Sequence, residues 1–242
     1  MFYIQMLLCT IWFFFCCFIT LFVAIIRWRH PSNGYFCSVL FTNGTKLITG
    51  LRIKIHNKER LRATQPCIYL GNHQSNVDIL VHADCYPPRT IAIGKKELLW
   101  IPLFGFLFYL CRNILLDRKD HSRAVEGLNQ AKDYLMNKNI SIYMFPEGTR
   151  NRGAKKLLPF KKGAFHMAIL AGVPVLPVVA SHIDTLVDFK AKKIHPGTFN
   201  VEVLEPIPTK GLTIDDIDTL MQTTYERMQS AYERLKSERF SN

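Results

Sequence analysis

Apolar positions along this chain change period several times, and each change marks an element. From Phe2 to Ile26 there is no alternation. Leu, Ile, Phe, Val and Cys fill the stretch, and the first 26 residues hold no Asp, Glu, Lys or Arg. About 20 apolar residues cross the hydrocarbon core of a bilayer, so the pattern predicts a helix long enough to span one. A cleavable signal would begin basic and end on a small-residue cleavage site, and this stretch has neither. Arg27, Arg29 and His30 follow at once, which assigns the downstream chain to the cytoplasmic side, and Trp28 suits the interface. A shorter apolar helix is predicted over residues 35–48, carrying Phe36, Val39, Leu40, Phe41, Leu47 and Ile48, with a turn over residues 31–34. Two anchoring arrangements follow: a single span, or a helical pair buried in one leaflet. A core helix of a soluble fold fits poorly, because so long an apolar run is rare there.

Beyond the anchor, short β-type runs alternate with helical periods. Strands are predicted over residues 51–56, 67–70, 90–94, 113–116, 140–145, 175–180 and 199–204. Helices are predicted after residue 76, over 120–137 with Ala124, Leu128, Ala131 and Leu135 on one face, over 164–171 and over 214–238. Residues 99–110 form an apolar helical stretch broken by Pro102 and Gly105, to be placed in the core or against a membrane. Such alternation predicts an α/β fold with a largely parallel, mixed sheet flanked by helices. The expected organisation is an N-terminal anchor of one or two membrane-embedded helices over residues 1–50 and one α/β domain over residues 51–242. At 242 residues the chain is long enough to bury a sizeable core.

Two polar segments interrupt this pattern where strands end. The first reads Asn72-His73-Gln74-Ser75-Asn76-Val77-Asp78. A neutral imidazole accepts a proton near pH 7, and a carboxylate on its other nitrogen fixes the tautomer and stabilises the imidazolium. Five residues apart, His73 and Asp78 do not share a face of a regular helix. They fit better with His73 in a loop and Asp78 in the first turn of the next helix, capped by Ser75 or Asn76. The bland alternative is a surface histidine beside a first-turn carboxylate. Metal binding by His73, Asp78 and His82 is a weaker rival, since no further His/Cys cluster supports it. Ser75 lacks the strained elbow of a covalent nucleophile. The second segment reads Phe145-Pro146-Glu147-Gly148-Thr149-Arg150. Pro146 ends a strand, Gly148 permits a turn that aims N–H groups at an anion, and Arg150 offers a fork matched to phosphate oxygens. Arg152, Lys155, Lys156, Lys161 and Lys162 follow, and their bland reading is a solvated basic loop with Glu147 as an ion-pair partner.

Together these segments resemble the 1-acyl-sn-glycerol-3-phosphate (lysophosphatidic acid) acyltransferase family of the glycerolipid acyltransferase superfamily, in its compact bacterial form. Four blocks carry the resemblance in order, over nearly the whole chain. The first is the His-x4-Asp block of His73 and Asp78. The second runs from Gly94-Lys95-Lys96-Glu97 through Pro102 and Gly105 to Asn113-Ile114-Leu115-Leu116-Asp117-Arg118. The third is Phe145 to Arg150, extended through Leu158-Pro159-Phe160-Lys161-Lys162-Gly163. The fourth is Val173-Pro174-Val175-Leu176-Pro177-Val178. The resemblance implies that His73 is the general base and Asp78 its orienting partner. It implies that Lys95, Glu147, Gly148, Thr149 and Arg150, with Arg118, bind the acceptor's glycerol phosphate. Pro174 and its neighbours would support the donor or acceptor site. Arg112 stands where many relatives have glycine, and could add a phosphate contact, alter headgroup choice or only face solvent.

The implied reaction moves a fatty acyl group from acyl-CoA or acyl carrier protein, as thioester co-substrate, to the sn-2 hydroxyl of lysophosphatidic acid. It needs no metal and no redox cofactor. Glycerol 3-phosphate or a lysophospholipid with a larger headgroup are the alternative acceptors. The implied location is the bacterial inner membrane, with the catalytic domain on the cytoplasmic face. Charge agrees with these partners. Lys and Arg exceed Asp and Glu by 12, which favours anionic lipid, phosphorylated substrate or an acidic carrier protein. Nucleic acid is not expected, because no nucleic-acid module is visible and the basic residues gather around the four blocks. Seven cysteines with no Cys-x-x-Cys read as reduced thiols, not as a disulfide framework or zinc site.

Overall fold

A computed structural model describes residues 1–75, 77–116, 121–151, 156–182 and 186–237 of the chain. Two helices come first, α1 (Phe2–Ile26) and α2 (Asn33–Thr49). β1 (Leu51–His56) and a single helical turn, α3 (Arg60–Ala63), lead to β2 (Ile68–Gly71) and α4 (Asp78–Asp84). β3 (Thr90–Lys95) is followed by a 3-10 turn (Lys96–Trp100), α5 (Phe104–Leu110) and β4 (Ile114–Leu116). Then come α6 (His121–Asn137), β5 (Ser141–Met144), α7 (Gly163–Ala171) and β6 (Val175–Ala180). A two-residue hairpin, β7 (Val187–Asp188) with β8 (Lys193–Ile194), precedes β9 (Gly197–Val203), a 3-10 turn (Ile214–Asp216) and α8 (Ile217–Ser237).

Seven described strands form one sheet in the order β1-β9-β6-β2-β5-β3-β4. All neighbours run parallel except β6 and β9, which are antiparallel. The sheet is therefore mixed, with a parallel run from β6 to β4. Side chains of alternate residues leave opposite faces of a strand, and the two cores follow that alternation. Ile68, Leu70, Ile142, Val175 and Val179 join the core beneath α6, α7 and α8. Cys67, Tyr69, Tyr143, Leu176, Val178 and Ala180 join the core on the other face, toward α2 and α4. Central strands buried on both sides read as unbroken apolar runs, as in the fully buried β2 and β6.

α1 is long and apolar enough to cross a bilayer by length and composition. It does not project away from the sheet. Near its start, Phe2 packs edge-on to Phe189 at 6.3 Å, and the Gln5 amide donates to the Ile48 carbonyl. Midway, Phe13 meets Phe104 of α5 at 5.5 Å. Just past its end, the Arg29 guanidinium covers the Tyr109 ring. At 1.5 Å per residue the helix is ~37 Å long, so these contacts lay it along the domain. Its outward face, with Leu7, Leu8, Ile11, Phe15, Phe18, Phe22 and Ile25, is exposed. α2 lies beneath it and turns a stripe of small polar residues inward: Ser38, Thr42, Thr45 and Thr49. Their hydroxyls donate to carbonyls of their own helix or lie enclosed in the helix contact. Small side chains allow close helix approach; at Gly44 a Cβ would lie 2.0 Å from the Trp12 indole. The 99–110 stretch is two-sided, with Leu107, Phe108 and Leu110 buried. Leu99, Trp100, Leu103, Phe106 and Tyr109 are exposed beside α1.

Candidate active site

Loops leaving the carboxyl ends of parallel strands converge at one edge of the sheet, where open α/β folds bind ligands. His73 follows β2, the turn of Glu147 and Gly148 follows the neighbouring β5, Lys95 ends β3, and Ser181 and His182 follow β6. His73 Nδ1 lies 2.6 Å from Asp78 Oδ2. Asp78 is fully buried at the first position of α4, where a carboxylate also meets the positive end of the helix. The same Oδ2 accepts the backbone N–H groups of Gln74 and Ser75. A carboxylate only accepts, so Nδ1 carries the hydrogen and Nε2 keeps its lone pair for a substrate proton. Ser75 Oγ accepts the N–H of Val77, so the serine caps the turn and serves no nucleophilic role there.

The His73 segment is braced from three further sides. The Phe145 ring stacks on the imidazole at 4.3 Å. The Asn151 N–H donates to the His73 carbonyl at 2.7 Å. Glu147 Oε1 accepts the His73 N–H at 2.7 Å, and its Oε2 accepts the Leu158 N–H at 3.0 Å. Glu147 is 1% exposed, and burial pushes its carboxyl above the ordinary range against the pull of those two donors. Both oxygens thus hold loop backbone. Glu147, expected at the acceptor phosphate, thus lies behind His73 with its carboxylate buried against the His73 and Leu158 backbone. Gly148 adopts φ +68°, a left-handed conformation that suits glycine, and its N–H closes the turn on the Phe145 carbonyl.

Family comparisons agree with this geometry. The acyltransferase family model matches residues 52–181. A 1-acyl-sn-glycerol-3-phosphate acyltransferase of Haemophilus influenzae is 37% identical over 215 residues, 89% of this chain and 88% of its own. That of Escherichia coli is 39% identical over 171 residues, 71% and 69% of the two chains. The crystal structure of the Thermotoga maritima 1-acyl-sn-glycerophosphate (LPA) acyltransferase, PlsC, superposes with TM-score 0.73 at 26% identity, covering 97% of this chain and 98% of that one. The chain belongs to the 1-acyl-sn-glycerol-3-phosphate acyltransferase family.

In this acyltransferase the remaining expected site residues fall into three groups. Arg150 and Thr149 are exposed beside Asn151, the residue bonded to the His73 backbone, so the cation stands at the mouth of the site. Lys95 is exposed at the end of β3, two strands from β2. Among the described residues neither Arg150 nor Lys95 has an ion-pair partner. Arg118 lies outside the described residues. Pro174 is at the wrong edge. Its carbonyl accepts the Ile68 N–H where β2 and β6 begin, and six residues of β6 at ~3.3 Å each separate it from the carboxyl ends. It starts a central strand, so any support it gives the site runs through β6.

Three polar side chains not expected to contact substrate frame the His73 loop. Asn72 bridges β2 to β6 by donating to the Ala180 carbonyl and accepting the Ala180 N–H. Gln74 donates to the Ala180 and Ser181 carbonyls and meets His182 and Tyr232. His82 is buried, with Nδ1 on the Tyr143 hydroxyl and Nε2 on the Asn72 carbonyl. Burial lowers its pKa to about 4. With both ring nitrogens occupied it is no metal ligand, and the described residues contain no cluster of three His, Cys, Asp or Glu suited to a metal. Beside Asp78, Val77, Ile79 and Leu80 line an open apolar pocket of about 250 Å³ together with Met6, Phe13, Phe41 and Phe189.

Proposed function

We propose that this chain transfers a fatty acyl group from acyl-CoA or acyl carrier protein to the sn-2 hydroxyl of a 1-acylglycerol 3-phosphate, giving phosphatidic acid. The observation that carries the reading is the His73–Asp78 contact of 2.6 Å at the sheet edge that also bears Arg150. His73 Nε2 takes the hydroxyl proton as the oxygen attacks the thioester carbonyl. The C–S bond then breaks, and the imidazolium returns its proton to the leaving thiolate. Asp78 stabilises the imidazolium through Nδ1–H. Arg150 and Lys95 neutralise the phosphate, with Thr149 and the Gly148 turn as further donors. The apolar pocket beside Asp78 suits an acyl chain.

An anchor embedded in one leaflet, on the cytoplasmic face, supplies the acceptor from the bilayer. The contacts of α1 with Phe189 and Phe104, and of Arg29 just past its end with Tyr109, support this pairing over a single span, because a spanning helix would pull away from the domain. The test is steady-state acyl transfer in mixed micelles with three acceptors: 1-acylglycerol 3-phosphate, glycerol 3-phosphate and lysophosphatidylcholine. Turnover should be greatest with the first. Arg150→Ala should raise its KM about tenfold with little change in kcat, as expected when a charge-assisted contact of ~1.5 kcal/mol is lost equally from bound substrate and transition state. Preference for an acceptor without a phosphomonoester, or an unchanged KM in the variant, would contradict the reading.

A further inference from the structure

At the end of α1 remote from Met1, four arginines collect. Arg27 and Arg29 lie in the turn after α1, Arg89 immediately precedes β3 and Arg112 precedes β4. The Arg27 guanidinium is 2.8 Å from His30 Nδ1. The Arg29 guanidinium sits 4.5 Å over the Tyr109 ring with Nη1 at 3.4 Å from its hydroxyl. Arg112 Nε donates to the Arg29 carbonyl. The Arg89 N–H donates to Ser32 Oγ, and its guanidinium donates to the carbonyls of Lys138 and Asn139. One turn, residues 27–32, is thereby fastened to the starts of two strands.

Among the described residues no carboxylate pairs with any of these four arginines. Lys138 nearby does have a partner, Asp133. Arg29 Nε is enclosed with no hydrogen-bond acceptor. The crowding is felt by His30, whose pKa is lowered by burial first and then by Arg27, Arg89 and Arg112. Gathered like charges repel, and planar guanidinium forks match phosphate oxygens. The corner therefore has the composition of an anion site.

Its position separates it from the active site. The strands from β2 to β4 run parallel; Arg89 and Arg112 precede theirs, whereas His73 and Lys95 lie at carboxyl ends. The six residues of β3 span ~20 Å at 3.3 Å each. One substrate phosphate does not reach both edges. The rim around the arginines is apolar and aromatic: Ile25, Ile26, Trp28, Phe106 and Tyr109 are exposed there, continuous with the outward face of α1. Aromatic rings with cations at the end of an apolar helix are the composition of a membrane interface, so the anion belongs to a lipid and not to a freely dissolved solute.

We infer that residues 27–32, with Arg89 and Arg112, form a second anion site that binds the headgroup phosphate of an anionic phospholipid. The site is independent of the acceptor phosphate held near His73. It holds the turn between α1 and α2 at the headgroup level while the opposite edge of the sheet meets substrate.

Native mass spectrometry of the full chain, released from a neutral detergent, tests this with phosphatidylglycerol and phosphatidylcholine as probes. The unaltered protein should retain one phosphatidylglycerol at concentrations where phosphatidylcholine is lost. Arg27→Gln with Arg29→Gln should weaken retention on the order of twentyfold, about fivefold for each charge. Arg27→Lys with Arg29→Lys should keep most of it. If the double Gln variant does not fold, Arg27→Gln alone, whose guanidinium meets only the His30 ring, should lower retention about fivefold. Arg150→Ala should leave retention unchanged. Equal retention of the two lipids, no loss in the Gln variants, displacement by equimolar inorganic phosphate, or loss in Arg150→Ala would each overturn the inference.

Discussion

Replacing Glu147 by Gln separates two roles for a carboxylate beside Gly148 and Arg150. The substitution keeps size and shape but offers one accepting oxygen where the structure uses two. One of the His73 and Leu158 N–H groups then faces an NH₂ donor. A hydrogen bond to a charged acceptor contributes about 1.5–3 kcal/mol, and a buried donor left unmatched costs about 1–3 kcal/mol. The side chain is 1% exposed, so water offers little relief. The expected loss of stability is about 2–4 kcal/mol. Because the Glu147 carboxylate fixes the backbone of the base itself, displacement of the His73 ring should lower kcat about 10–100-fold, as ~1.4–2.7 kcal/mol of lost transition-state positioning would. Acceptor KM should stay within about twofold, since no Glu147 oxygen is left to meet substrate. Thermal unfolding of the purified variant and steady-state kinetics with varied 1-acylglycerol 3-phosphate measure both quantities. A raised KM with normal kcat and normal stability would refute the reasoning and return Glu147 to the phosphate.

Two further perturbations test the scaffold. His82 is neutral and buried with a pKa near 4, against an ordinary value of about 6.5. Its folded pKa is depressed, so the stability it contributes is complete above about pH 6.5 and is lost as pH falls toward 4. About 2 kcal/mol is lost between pH 7 and pH 5, and that loss should be missing from the pH dependence of His82→Gln in chemical denaturation at those two values; parallel curves for the two proteins would contradict the burial argument. Gly44→Ala in an open helix would gain about 1 kcal/mol. Here the new Cβ falls 2.0 Å from the Trp12 ring, which itself donates to the Phe41 carbonyl. Overpacking should instead cost about 1–3 kcal/mol and expose the α1–α2 turn to protease, and a stabilised variant would disprove close packing of that pair.

Strands with an unbroken apolar run or a clear apolar–polar alternation were readable at residue level. β1 and β6 occupy the predicted residues, and the final helix differs only in beginning after a 3-10 turn capped by Thr213 and Asp216. Elements held mainly by tertiary contact left no periodic trace: the single turn of α3 and the two-residue strands β7 and β8 are shorter than either period needs. Nor does periodicity carry direction, so the antiparallel β6–β9 contact within an otherwise parallel order came only from the coordinates. In the site, the pairing of His73 with Asp78 was legible because a carboxylate in the first helical turn after a loop histidine lies within reach of its imidazole. The burial of Glu147 and its backbone partners are invisible in a string of letters beside three candidate phosphate ligands. A motif in sequence order likewise says nothing about which end of a strand Pro174 occupies. Arg112 faces neither substrate nor open solvent alone; its Nε holds the Arg29 carbonyl at the amino edge of the sheet.

The central claim is that the His73 imidazole, held by Asp78, removes the acceptor proton. Its most direct measurement is the single-turnover rate of acyl transfer from acyl-CoA to 1-acylglycerol 3-phosphate by His73→Ala, with both substrates saturating and folding checked by circular dichroism. Loss of the base should lower the rate on the order of 10²–10⁴-fold. A folded variant that transfers the acyl group within a few-fold of the unaltered protein would contradict the account.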